Sequence, residues 1–345
     1  MTKKPENIIV GISIGDLNGI GSEIILKSFE DPRMLELCTP IIFANVKILS
    51  FLKKNLELMA PLHGIDRLDQ MVIGKINVLN LWRESVNVDY GKVDAEVGKY
   101  AIKSFVAATK ALKQGHIDVL VTAPISKSNI QTDDFKFPGH TDYLDQELEG
   151  DALMLMIQDN LRVGLLTDHI PLNDVAKHLT EALIRKKIKT ISNALTVDFG
   201  IRKPKIAVLG LNPHSSDNGV IGDEEGTIII PTLKKIFDEG TLVFGPFPAD
   251  GFFGSYQFEK YDAVIAMYHD QGLIPFKTLS FGKGVNFTAG LNKIRTSPDH
   301  GTAFEIAGKG IANHLSFQEA VYAAIDIFKS RSDYQEMTAK PLKTK

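Results

Sequence analysis

Cys38 is the one cysteine of this 345-residue chain, so no disulfide can close within it. A lone thiol suits a reducing compartment. Cys38 follows an apolar stretch and reads as a small core residue, not a nucleophile. Equally missing is any apolar run near the ~18 residues that a membrane span requires. Met1 to Asn7 is polar and lacks the apolar core and cleavage pattern of a signal peptide. The expectation is a cytoplasmic soluble protein with no membrane partner. No basic block is present and the net charge is −3, so composition offers no footprint for nucleic acid. No internal repeat and no low-complexity linker interrupt the chain, and its length suits one large or two ordinary domains. Even the dinucleotide fingerprint G-x-G-x-x-G is absent: the first glycine-rich turn, Gly15 to Gly21, is spaced G-x-x-x-G-x-G.

What is present is organised around Asp262 to Lys277. Ala263 to Met267 is a short continuous apolar run with β-branched members, the pattern of a strand buried on both faces. It runs into Tyr268, His269, Asp270 and Gln271, polar residues that no core needs, after which Gly272 is expected to let the backbone turn. Two other runs repeat the arrangement. Leu161 to Thr167 leads to Asp168 and His169, and Lys205 to Gly210 leads to Asn212, Pro213 and His214. The runs lie far enough apart in sequence for crossover helices, as parallel strands require. In open α/β sheets ligands bind beyond the carboxyl ends of strands. Three histidines at equivalent strand ends therefore point to one shared divalent metal, held by imidazoles with a position left open.

Elsewhere the pattern alternates strand and helix. Ile8–Ile14, Pro40–Ala44, Ile76–Leu79 and Ile117–Val121 read as strands. Ile24–Phe29, Val46–Leu56, Asp94–Lys113, Pro171–Leu195 and Phe317–Phe328 read as helical. Residues 60–75 read as a loop with an exposed His63, and the last residues as frayed. Thr141 or Asp142 is expected to cap a helix after Gly139, with His140 touching a ligand. Asp250 reads as a buried carboxylate within the Pro/Gly-rich segment Gly245 to Phe253.

Six motifs in order carry a resemblance from about Ile8 to about Phe328: Gly15-Asp16 with Gly19-Ile20-Gly21, Thr122 to Lys127, Gly139-His140-Thr141, Asn212-Pro213-His214, Tyr268 to Pro275 and Asp299 to Ala303. They resemble the 4-hydroxythreonine-4-phosphate dehydrogenase family of vitamin B6 biosynthesis, within the wider isocitrate/isopropylmalate dehydrogenase-like fold. Leu17 and Ser22 stand where the family often has Pro, and Pro298 where a small aliphatic residue is common.

The resemblance implies an α/β fold of two α/β/α domains with a cleft between them. Residues 1–125 and 290–345 would form the first, with the dinucleotide loop, and 126–289 the second, with the metal ligands and dimer interface. It implies that His169, His214 and His269 bind one divalent metal (Zn, Mg, Co or Mn), one ligand coming from the partner of a homodimer. His140, Thr141, Lys277, Asn286 and Arg295 match substrate contacts. His300, Gly301, Thr302, Ala303, Glu305 and Asn313 match the loop that holds the adenosine of the dinucleotide. Glu305 would accept from a ribose 2′-OH and repel a 2′-phosphate, so NAD is expected over NADP. The implied reaction is oxidation of a small phosphorylated 3-hydroxy acid, 4-phosphooxy-L-threonine, followed by decarboxylation. Asp250, Asp270 and Lys277 are the candidate bases. Close relatives acting on threonate or erythronate 4-phosphate remain a second reading, a metal-dependent hydrolase a third and a non-catalytic phosphometabolite sensor a fourth.

Overall fold

The computed structural model describes residues 7–130, 135–137 and 139–339. Its strands, in chain order, are β1 Ile8–Ser13, β2 Cys38–Ala44, β3 Leu62–Ile65, β4 Ile76–Asn80, β5 Val119–Thr122 and β6 Gly150–Gln158, then β7 Leu161–Leu165, β8 Ile206–Leu209, β9 Val243–Phe247, β10 Ala263–Ala266, β11 Val285–Leu291 and β12 Ile294–Pro298. The chain separates into two compact units. One comprises residues up to Ala152 with Leu291–Lys329, the other Leu153–Gly290 with residues from Ser330 on.

In the first unit the strand order is β3-β4-β2-β1-β5-β12, and every one of these pairs is parallel. Ile12 lies level with Ile42 on one side and Val121 on the other. Parallel strands are covered on both faces, and β2 is accordingly buried at all seven positions. The helix Ala95–Lys113 supplies Phe105, Ala108, Ala111 and Leu112 to the core around Ile41, Phe43 and Leu120. The Asp94 side chain caps it by accepting from Glu96 N–H. Its buried Ser104 hydroxyl donates to the Phe43 carbonyl and accepts from Ile14 N–H, so two strand ends are satisfied by one helix residue. Cys38 is fully buried and burial pushes its thiol up to about 12, which leaves it inert as a nucleophile.

In the second unit the order is β11-β6-β7-β10-β8-β9. β6 and β7 form an antiparallel hairpin, whereas β7, β10, β8 and β9 run parallel to one another. Val163, Leu165, Ala207, Leu209, Val264 and Ala266 make one core with Leu273 and Phe276 of the helix His269–Ser280.

The structure departs from the sequence pattern at several places. The stretch 60–75 holds the strand β3, and His63 on it is half-buried. Leu-His-Gly-Ile is too short and too polar to show a period of its own; its pairing with β4 makes it a strand. β6, β9, β11 and β12 also escape the pattern. Gly272 does not turn the chain. It sits inside the helix His269–Ser280, where a Cβ would lie 2.9 Å from Leu165 Cδ2 and 3.0 Å from both Val163 Cγ1 and Ala266 Cβ. Glycine is needed there because the helix lies close on the sheet. The last helix extends over Leu315–Ala339, beyond the Phe317–Phe328 of the pattern. No helix of the described residues is long and apolar enough to cross a membrane.

Candidate active site

Strand order brings the three histidine-bearing strand ends together. β10 lies between β7 and β8, parallel to both, so His169, His269 and His214 follow the carboxyl ends of three adjacent strands. Thr167 N–H and its hydroxyl both donate to the Met267 carbonyl, at 3.2 and 2.6 Å, which continues the β7–β10 pairing past the strands. Gln271 ties the other side: its side-chain oxygen accepts from Met267 N–H at 2.7 Å and its NH2 donates to the Gly210 carbonyl at 2.6 Å. A glutamine in the first turn of a helix has no sequence signature for such bracing, and its role emerges only from the fold.

The His169 and His269 rings have centroids 5.9 Å apart. His269 is the first residue of its helix, and its Nδ1 lies 2.7 Å from Asp270 Oδ1. A carboxylate on Nδ1 fixes the tautomer with hydrogen there and leaves the Nε2 lone pair free, the arrangement that metal-ligating histidines use. The exposed His169 and the half-buried His269 therefore fit a divalent cation as imidazole donors. His214 does not join them in one chain: among the described residues no three His, Cys, Asp or Glu form a group close enough to hold a metal.

His214 stands at the start of an unusual turn. His214, Ser215, Ser216, Asp217 and Asn218 have φ between 45° and 69°, five non-glycine residues in succession in the left-handed region. Each costs roughly 1–2 kcal/mol of steric strain, and such strain persists where surrounding contacts over-determine it. Asp217 is exposed, so a substitution there reads the backbone alone. Asp217→Val is expected to lower unfolding stability by about 1–2 kcal/mol, because a β-branched residue tolerates positive φ worst, while Asp217→Gly leaves it unchanged or raises it. Urea titration of the two variants checks this.

The first unit holds a buried cation. Arg295 on β12 is 2% exposed and burial lowers its guanidinium to about 9, still charged at neutral pH. It donates to the Thr122 hydroxyl at 3.0 and 2.6 Å and to His140 Nδ1 at 3.1 Å. His140 opens the helix His140–Glu147, its ring edge-on to Phe105 at 4.5 Å. Burial, then the Arg295 charge, hold its pKa well below the ordinary value. A neutral ring that accepts at Nδ1 carries its hydrogen on Nε2, and that buried nitrogen has no partner among the described residues. The expected capping by Thr141 or Asp142 is wrong: the N-cap is Gly139, with no side-chain cap, and both residues lie inside the helix. Thr141 sits half-buried in the first turn beside His140.

The segment His300 to Asn313 is braced within the same unit. Ile20 N–H donates to the Thr302 carbonyl at 3.0 Å, and a Cβ on Gly19 would meet that oxygen at 2.9 Å. Glu23 accepts from Ala312 N–H, and Lys27 reaches the carbonyls of Gly310 and Ala312. His300 Nδ1 lies 3.0 Å from the Gly301 carbonyl and its buried Nε2 has no partner among the described residues. Ala303 takes a positive φ, while Gly301, Glu305 and Asn313 face solvent. Asn313 accepts from Leu315 N–H at the start of the last helix, a structural duty beside any ligand role.

In the second unit Lys277 is exposed on the helix His269–Ser280, and Asn286 on β11 has a buried side-chain oxygen with no partner among the described residues. Asp250, expected to be buried, is exposed in the first turn of the helix Ala249–Gly254. Its Pro/Gly surroundings suggested burial, but a helix start turns the side chain to water.

A family model described as pyridoxal phosphate biosynthetic protein PdxA matches residues 36–324. The chain is 45% identical over 338 residues to a 4-hydroxythreonine-4-phosphate dehydrogenase of Bacteroides thetaiotaomicron, covering 97% of this chain and 93% of the relative. It is 36% identical over 332 residues to an Oceanobacillus iheyensis protein provisionally named a D-threonate 4-phosphate dehydrogenase, covering 95% and 99%. The crystal structure of a 4-hydroxythreonine-4-phosphate dehydrogenase from Klebsiella pneumoniae matches with a TM-score of 0.81 at 33% identity, covering 95% of this chain and 99% of that one.

Proposed function

Because the chain belongs to the PdxA family of pyridoxal phosphate biosynthetic proteins, we propose that it oxidises 4-phosphooxy-L-threonine with NAD to 2-amino-3-oxo-4-phosphooxybutanoate, which loses carbon dioxide to give 3-amino-2-oxopropyl phosphate. The observation that carries this reading is the neighbouring pair His169 and His269 at adjacent strand ends, with Asp270 fixing the His269 tautomer.

His169, His214 and His269 would hold one divalent cation, one of the three contributed by the second copy of a homodimer. When bound, the cation supplies positive charge that lowers the pKa of an adjacent alcohol and favours an enolate over its ketone. A bound nicotinamide dinucleotide supplies the hydride acceptor. The protein's own residues do the rest. Arg295 supplies a buried positive charge for a phosphate or carboxylate oxygen. His140 Nε2–H, Thr141, Lys277 and Asn286 are the other substrate contacts. Asp270 is engaged with His269, so removal of the alcohol proton is assigned to Lys277 or Asp250. The C–H bond then breaks with its electron pair leaving as hydride, and the resulting β-keto acid releases its carboxylate as carbon dioxide.

His300, Gly301, Thr302, Ala303, Glu305 and Asn313 would hold the adenosine. The exposed Glu305 carboxylate accepts from a ribose 2′-OH and repels a 2′-phosphate. NAD is therefore expected to exceed NADP by roughly tenfold or more in kcat/KM, and Glu305→Ala to narrow the ratio. Steady-state assays with both cofactors check this.

The deciding experiment follows NADH and carbon dioxide formation with 4-phosphooxy-L-threonine and with the threonate and erythronate 4-phosphates side by side. Turnover of the amino acid phosphate with equal yields of the two products supports the proposal. Turnover of the hydroxy acids alone would transfer it to the second reading, which the Oceanobacillus relative's name favours. Failure to bind NAD in calorimetry would sink both.

A further inference from the structure

The turn that carries His214 rests on a carboxylate that follows it in the chain. Glu225 is 0% exposed. One of its oxygens accepts from the backbone N–H of Leu211 and of Asn212, each at 2.8 Å, and the other accepts from the Asn212 side-chain NH2 at 2.8 Å. Asn212 also donates to Glu224 at 2.8 Å. Glu225 opens a π-helical turn, Glu225–Ile229, ahead of the helix Ile230–Asp238. An inserted residue of this kind re-aims the side chains of a helix and recurs at functional sites. Here the buried carboxylate meets the end of β8 and the residues that follow it.

Other contacts close the turn. Ser215 N–H donates to the Asn212 carbonyl at 3.1 Å, and the Ser215 hydroxyl to the Pro246 carbonyl at 3.2 Å. Ile221 N–H donates to the Ser216 carbonyl at 2.9 Å. Gly210 leaves the necessary room, since a Cβ there would stand 2.6 Å from Ser215 Oγ and 3.2 Å from Glu225 Oε1. Five residues of positive φ do not hold themselves. A buried carboxylate that satisfies both N–H groups at the entrance is the contact that commits the chain to this course before the strain begins.

We propose that Glu225 is a positioning residue: its carboxylate holds Leu211 and Asn212 so that the left-handed turn presents His214 in one fixed orientation to a divalent cation. The cation half of this rests on the metal reading above; the turn half does not.

Two measurements on the full-length, metal-free protein test it. In hydrogen–deuterium exchange, Glu225→Gln places an NH2 against the Asn212 NH2 in a site of the same size. Peptides covering 211–219 are expected to exchange about tenfold faster or more, with those of β1, β2 and β5 unchanged. In a zinc titration against a competing chelator, the same variant is expected to bind about tenfold or more weakly, as loss of an outer-shell support does. Asn212→Ala keeps both backbone bonds to Glu225 and serves if Glu225→Gln does not fold. It is expected to shift both readouts in the same direction by a few-fold. Unchanged exchange at 211–219 overturns the proposal, as does unchanged zinc affinity in a variant whose turn exchanges faster. Should the unaltered protein bind no zinc, the metal reading falls, and faster exchange in the variant still upholds Glu225 as the support of the turn.

Discussion

His269→Ala is expected to abolish zinc binding and to lower kcat/KM by about a thousandfold or more. The substitution removes an imidazole whose Nε2 lone pair is kept free by the Asp270 contact on Nδ1 at 2.7 Å. If a cation supplies the charge that makes the substrate alcohol acidic, its loss costs several kcal/mol at the transition state, and each 1.36 kcal/mol is a factor of ten. The ring is half-buried at the start of a helix, so the fold should survive its removal. His169→Ala should behave alike, because its ring is the neighbour of His269. Asp270→Asn separates bracing from ligation: it keeps the shape but weakens the hold on the tautomer, and the expected loss in metal affinity is about 10- to 100-fold. Metal content by atomic spectroscopy, read beside NADH formation, checks the series. A His269→Ala enzyme with full activity and no metal would end the metal reading.

Arg295→Met is expected to lower kcat/KM for the phosphorylated acid by about a hundredfold to a thousandfold, chiefly through KM. The guanidinium donates to Thr122 and His140 from a buried position, and a charge-assisted pair with a substrate anion is worth about 3–4 kcal/mol in such surroundings. Arg295→Lys keeps the charge but loses the planar bracing on Thr122 and His140, and should recover only part of the loss. Inorganic phosphate offers a check that needs no turnover. At about 100 times its Kd it should stabilise the unaltered protein by about 2.7 kcal/mol and the variant by much less. Equal phosphate protection of both proteins would remove Arg295 from the anion site.

The same cluster predicts a dependence on pH. Folding lowers the His140 pKa, first by burial and then by Arg295, so the unfolded chain binds the proton more readily than the native one. Its stabilising contribution is complete above the ordinary 6.5. It is lost as pH falls from there towards the lowered native value. Between pH 6.5 and 5 the native protein should lose stability more steeply than His140→Asn does, by urea titration at each pH.

Much of the site is local chemistry, and local chemistry is legible. Apolar runs of β-branched residues ending in His mark the edges of buried strands, and Ala263–Ala266, Leu161–Leu165 and Ile206–Leu209 are strands as read. The helix Ala95–Lys113 follows from its spacing and acidic first turn, although Asp94, read as its first residue, is its cap. Gly139-His140-Thr141 stands out because a motif needs only a few neighbouring residues to be seen. Asp250 shows where such reading fails: burial belongs to the surroundings of a side chain, and its neighbours in sequence do not report them. β3 shows it again, since Leu62–Ile65 becomes a strand through hydrogen bonds to β4, which its own four residues do not encode.

From its sequence alone this protein's strand-end histidines and the buried strands that carry them were already apparent, because each depends on residue type and short-range period; Arg295 was marked only by the family resemblance. Strand order was not. That β10 lies between β7 and β8, and so gathers three histidine loops on one edge, is settled by crossover packing over long separations. Gln271 bridging to Gly210 and Glu225 gripping Leu211 and Asn212 belong to the same class. A side chain's hydrogen-bond partner is whatever the fold sets beside it, and only tertiary packing chooses that neighbour.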